Sequence, residues 1–117
     1  MPHVVLDDAP DLAAAVAALE PTVVRNGGEI LKIIDLFMSR SGHSALVDCV
    51  AIENGHSQAF FVQLAQKERQ LTVRLLPATD PEKTPAVKRL MGLIAKRIQE
   101  RIAGSHFGKT NLQEFLS

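Results

Sequence analysis

The sequence predicts one α+β domain spanning residues 1–117, a sheet packed against two main helices with its strands antiparallel in the middle of the chain. Three observations predict it. Asn54-Gly55 stands between two apolar runs, which is the strongest short-range hairpin signal. Thr84-Pro85 and Gly104 bracket an apolar stripe of helical period. Leu12, Val16 and Leu19 recur at helical spacing between Asp11 and Pro21.

The elements follow in order. Pro2–Leu6 is a short apolar run that suits a strand, and Asp7, Asp8 and Pro10 mark the turn after it. The first helix starts at Asp11, and Pro21 ends or kinks it. Asn26-Gly27-Gly28 reads as a turn. Beyond it Ile30, Ile33, Ile34, Phe37 and Met38 repeat at i, i+3, i+4, i+7 and i+8, which favours a helix, although their β-branched content also suits a strand.

Around Asn54-Gly55 a two-residue turn pairs Glu53 with His56, Cys49 with Phe60 and Val47 with Val62. One face then carries Val47, Cys49, Phe60 and Val62, and the other Leu46, Val50, Ile52 and Phe61. A sheet apolar on both faces needs a cover on each, from helices or a second subunit. The run QLTVRLLP after Lys67-Glu68-Arg69 reads as a further strand. Thr84 caps the last helix, whose stripe is Val87, Leu90, Met91, Ile94, Ile98 and Ile102. From Ser105 onward the chain reads as a polar turn and a short amphipathic tail.

Composition excludes several classes. No apolar run reaches the roughly 18 residues that span a bilayer, and the opening MPHVVLDDAPD lacks a signal peptide's basic start. One cysteine rules out an internal disulfide and fits the cytoplasm. With no Trp or Tyr, the chain offers a poor base-stacking platform, so no nucleic-acid or membrane partner is expected. Charge is polarised: residues 1–53 carry eight acids and three bases, and residues 54–117 ten bases and five acids. That asymmetry can steer an anionic ligand or favour association of subunits, and it also suits a plain solvated helix face.

Pro2 is the first candidate for chemistry. Excision of a methionine before a small residue exposes it as a free secondary amine. An α-amine titrates near pH 8, and burial or nearby cations lower that value, giving a general base near neutrality. The alternative is an inert strand start.

The opening MPHVV resembles the tautomerase superfamily, in particular its 5-carboxymethyl-2-hydroxymuconate isomerase branch. Glu20-Pro21-Thr22 is similar to an Asn-Pro-Thr of that family, and Arg40-Ser41 before Leu46-Val47-Asp48 to its Arg-Ser before a Val-Asp strand. Asn54-Gly55-His56 with Ala59-Phe60-Phe61-Val62, and the closing Phe107-Gly108-Lys109-Thr110-Asn111-Leu112-Gln113, extend the resemblance. It implies a tautomerase-like β-α-β subunit in a homotrimer, catalysing cofactor-free proton transfer in an enol or unsaturated keto acid. It makes Pro2 the base and Arg40 the clamp on a small carboxylate-bearing substrate. A second arginine falls on Arg69 in an ungapped match, whereas aligning Leu75-Leu76-Pro77 leaves Thr79 there; Arg74 is a further candidate. The chain departs from the family in placing QLTVRLLP before the last helix.

The alternative is a non-catalytic, oligomeric assembly module with the same fold, using the apolar sheet for contact and the basic helix for an acidic partner. Cys49 with His43 and His56 lacks the spacing of a metal or nucleophile site and reads as structural. His3 lies beside Pro2, where a structural role stands ahead of a catalytic one because neighbouring strand side chains face opposite ways. No metal or cofactor is expected.

Overall fold

A computed structural model describes residues 1–117, and 45% of them lie in strands against 22% in helices. The strands are β1 (His3–Asp7), β2 (Thr22–Asn26), β3 (Glu29–Met38), β4 (Ser44–Glu53), β5 (His56–Lys67), β6 (Gln70–Leu75) and β7 (His106–Thr110). Helix α1 (Leu12–Ala17) has six residues and α2 (Pro85–Arg101) has 17. All seven strands join one curled antiparallel sheet in the order β2-β3-β4-β5-β6-β1-β7, with α2 across its inner face.

This corrects the predicted architecture. The chain does not form a tautomerase-like β-α-β unit with two main helices; it forms a seven-stranded antiparallel sheet with one long helix. Four consecutive hairpins build β2 to β6, and β1 enters between β6 and β7, antiparallel to both.

The central error lies at residues 29–38. A bulge between Ile33 and Asp35 breaks the pairing of β3 with β4, so the inner and outer positions exchange parity halfway along the strand. That shift imitates helical spacing in the sequence. Asn26-Gly27-Gly28 is a turn as read, yet it joins two strands: Asn26 pairs with Glu29 across Gly27 and Gly28. The first helix reaches only Ala17, and the polar stretch after Ser105 contains β7.

Two expectations hold in register. Glu53 pairs with His56, Cys49 with Phe60 and Val47 with Val62, across a turn in which Asn54 (φ 51°) and Gly55 (φ 81°) are both left-handed. In α2 the Thr84 hydroxyl accepts from Val87 N at 3.3 Å, Pro85 opens the first turn, and Val87, Leu90, Met91, Ile94 and Ile98 are buried. Burying each such side chain contributes about 1.5–3 kcal/mol, which is what seats this helix on the sheet.

The inner face is sealed by α2 and α1, with Val47, Cys49, Phe60, Val62 and Leu64 all buried. The outer face is different. Leu46, Val50, Ile52 and Phe61 are only half-buried, and Ile34 and Phe37 stay 46% and 50% exposed. Phe37 meets Phe61 edge-to-face, with ring centroids 6.5 Å apart.

The tail docks because α2 carries a glycine where it crosses. A Cβ on Gly92 would sit 2.9 Å from Phe115 Cβ and 3.1 Å from its carbonyl carbon, so only glycine admits the approach. The tail thereby holds Asn111 and Leu112 against the start of β1.

Candidate active site

Pro2 lies at the mouth of β1 and is buried, while Met1 outside it is 67% exposed. Its position follows from pairing: His3 sits opposite Arg74 on β6, and Val4 opposite Thr110 on β7. Two clefts flank the proline. One, about 250 Å³, brings Lys83, Lys88 and Asn111 beside it. The other, about 450 Å³, brings Thr72, Arg74 and Pro77.

The cations here differ in how they are held. Lys83 is paired with Asp80. The Arg74 Nε–H donates to Gln63 Oε1 at 2.9 Å, a neutral partner. Neither Arg74 nor Lys88 forms an ion pair, so each retains its charge for an anion. Arg74 and Lys88 thus give the two clefts beside Pro2 a positive side chain each.

The chain start is tied down by a small network. His3 N donates to Asn111 Oδ1 at 2.9 Å, and Thr110 Oγ1 donates to the His3 carbonyl at 2.8 Å. Asn111 Nδ2 donates to the Met1 carbonyl at 2.7 Å, and the His3 ring Nδ1 donates to the same oxygen at 3.0 Å.

The predicted trio does not converge. Arg69 lies in the β5–β6 turn, where its Nε–H donates to Asp8 Oδ1 at 3.3 Å. It precedes Arg74 by five residues, about 17 Å along the strand from the Pro2 end. Arg40 is exposed in the β3–β4 loop, three strand spacings from β1 or about 14 Å across the sheet. That loop borders a different cleft, about 460 Å³, with Pro10 and Leu12 on its far wall. Thr79 is structural: its hydroxyl accepts from Phe61 N at 3.2 Å and donates to the Leu76 carbonyl at 2.9 Å, closing the edge of β5 that β6 leaves open.

Of the cations beside Pro2, Arg74 stood among the sequence candidates, whereas Lys83 and Lys88 did not. Lys88 belongs to the first turn of a basic helix, and only the docking of α2 next to β1 sets it apart from its neighbours.

The other features are structural. Cys49 is fully buried, its Sγ–H donates to the Val47 carbonyl at 3.4 Å, and burial together with the Asp48 carboxylate pushes the thiol up to about 12. No three metal-ligating side chains gather anywhere. A fourth cleft, about 310 Å³, lies between α2, the β2–β3 hairpin and the tail. Its cations serve the fold, since Arg89 pairs with Glu29 and stacks 5.5 Å above Phe115, and Lys96 donates to the Ser117 carbonyl. No helix is long and apolar enough to cross a membrane.

Comparison with family models, with curated proteins and with solved structures returns no match.

Proposed function

We propose that the chain is a cofactor-independent isomerase that moves a proton within a small carboxylate-bearing enol or unsaturated keto acid, with the Pro2 amine as general base once Met1 is removed. The observation that carries this reading is the buried Pro2 between two clefts that hold Lys88 and Arg74 free of acidic partners. Burial and positive charge both lower an amine's pKa toward the working pH, and the same cations bind the substrate's carboxylate. Arg74 takes the role that the resemblance assigned to Arg40 and Arg69.

The test is brief treatment with a carboxylate-bearing electrophile at neutral pH, followed by intact-mass and peptide mapping. Stoichiometric labelling on Pro2 is the expected result. Retained Met1, or a Pro2 that reacts no faster than surface lysines, would overturn the mechanism.

A second reading concerns assembly. The exposed Ile34 and Phe37, with Asp35 directly opposite Asp48 and neither in an ion pair, leave an apolar face with unneutralised acids at its centre. Lys32 lies on the same face, so a second copy can bring a cation to each acid while burying the apolar surface. We propose a homo-oligomer through this face, with the trimer as the size that the resemblance implies. Sedimentation of wild type against Phe37→Glu tests it: assembly in the first and monomer in the second support it, and a monomeric wild type removes it.

A further inference from the structure

The cleft between α2, the β2–β3 hairpin and the tail is built unlike the two beside Pro2. Its floor and walls are apolar, with Leu31 of β3 buried at the base and Val24 of β2, Leu93 of α2 and Phe115 of the tail around it. Its volume of about 310 Å³ suits a small molecule, and a few polar groups on an apolar pocket are what fix such a ligand in place.

The charged groups at its rim are not equivalent. Arg89 is already engaged, since it pairs with Glu29 and lies over the Phe115 ring. Lys96 donates to the Ser117 carbonyl at 3.0 Å, and this neutral partner steadies the tail while leaving the ammonium charge uncompensated and protons to spare. Glu114, on the tail, also lines the cleft. Neither Lys96 nor Glu114 forms an ion pair, with each other or with any other residue. The cleft therefore offers one uncompensated cation on α2 and one uncompensated acid on the tail. A ligand with a single charge satisfies one of them and meets the other as a like charge. A zwitterion with an apolar body matches both charges and the walls.

We propose that this cleft binds a free α-amino acid with an apolar side chain. Its carboxylate rests on Lys96, its ammonium on Glu114, and its side chain against Val24, Leu31 and Leu93. The Asn26 side-chain amide, both donor and acceptor, serves either charged end. The proposal is independent of the role of Pro2. The bound amino acid links α2 to the tail beside the contact of Phe115 with Gly92, so it also stabilises the folded chain by mass action.

The test is calorimetric titration of the full chain with L-leucine and three controls. 3-Methylbutylamine lacks the carboxylate, 4-methylpentanoate lacks the ammonium, and glycine lacks the side chain. Leucine should bind saturably, and each control at least about tenfold more weakly. Lys96→Met and Glu114→Gln should each weaken leucine by about tenfold to a hundredfold, the cost of one charge-assisted contact. Lys96 also holds the tail, whereas Glu114 has no partner in the fold, so Glu114→Gln carries the test if the first variant unfolds. Leucine should raise the Tm of wild type and leave that of Glu114→Gln unmoved. No saturable heat and no rise in Tm at about 10 mM leucine would overturn the proposal. Equal binding of leucine and 4-methylpentanoate, or wild-type affinity in Glu114→Gln, would reduce the cleft to a carboxylate site and overturn the amino-acid class. An equal loss in Arg74→Ala would move the ligand to the Pro2 clefts and overturn this location.

Discussion

The two ends of β1 carry similar residue types and hold them in opposite ways. At the Asp7–Asp8 end, Arg69 pairs with Asp8, Gln70 Nε2 donates to Asp7 Oδ1 at 2.9 Å, and His106 sits within 4.0 Å of both acids. Every charge there has a partner of opposite sign or a hydrogen bond. At the Pro2 end, Arg74 and Lys88 have no acidic partner, and clefts open on both sides. An arginine near a strand therefore says little by itself. A cation whose counter-charge is already part of the chain is spoken for, and one that lacks it beside a cleft is open to an anion.

That contrast can be tested from its strong side first. Arg74→Ala should raise KM for a small carboxylate-bearing keto acid by about tenfold to a hundredfold, the cost of losing a charge-assisted contact, with kcat changed far less. Steady-state kinetics on such an acid reads it, and an unchanged KM would erase the difference between the two ends. Next is Gly92→Ala, which sets a methyl against Phe115 and should cost about 1–3 kcal/mol. Denaturant unfolding measures the loss.

Cys49 provides an internal control at mid-sheet. Its folded pKa, raised to about 12, stands above the unfolded thiol value near 8.5, so the neutral thiol's contribution is fully present below that value. It is lost as pH rises from about 8.5 toward 12, at up to about 1.4 kcal/mol per pH unit, and Cys49→Ala should flatten this decline. The smallest effect belongs to Arg69→Ala. An exposed pair at 3.3 Å contributes at most about 1 kcal/mol, and KM should not move.

How much of this was legible in the sequence depended on the range of the signal. The pairing of the Asn54-Gly55 hairpin and the start of α2 are legible to the residue, because a turn dipeptide and a capped periodic stripe are local, while the stripe runs one residue past the helix end at Arg101. Strand β3 was misread because its bulge lets Ile30, Ile33, Ile34 and Phe37 fall at helical intervals while following a pleated strand. Strand β7 escapes the sequence reading because Gly108 and Lys109 interrupt any alternation, and a Cβ at Gly108 would run into the Asp7 carboxylate, a contact made only in the fold. Pro2 was visible as a candidate. Asn111 was visible only within a motif, since its contact with His3 joins residues 108 positions apart. Arg40 and Arg69 were chosen by order along the chain, and the fold sends that order elsewhere.

The placement of β1 between β6 and β7 has a consequence for biosynthesis. The first strand made finds no hydrogen-bonding neighbour until Gln70–Leu75 has emerged, and its second only with His106–Thr110. At translation rates of about 5–20 residues per second, roughly 5–20 s pass between the first strand and its last partner. Throughout that interval Val4 and Leu6, fully buried in the finished sheet, lack their pairing on the β7 side. The hydrogen bond from Asn111 to the Met1 carbonyl comes with that last partner, so the start of β1 is fastened only when the sheet is complete.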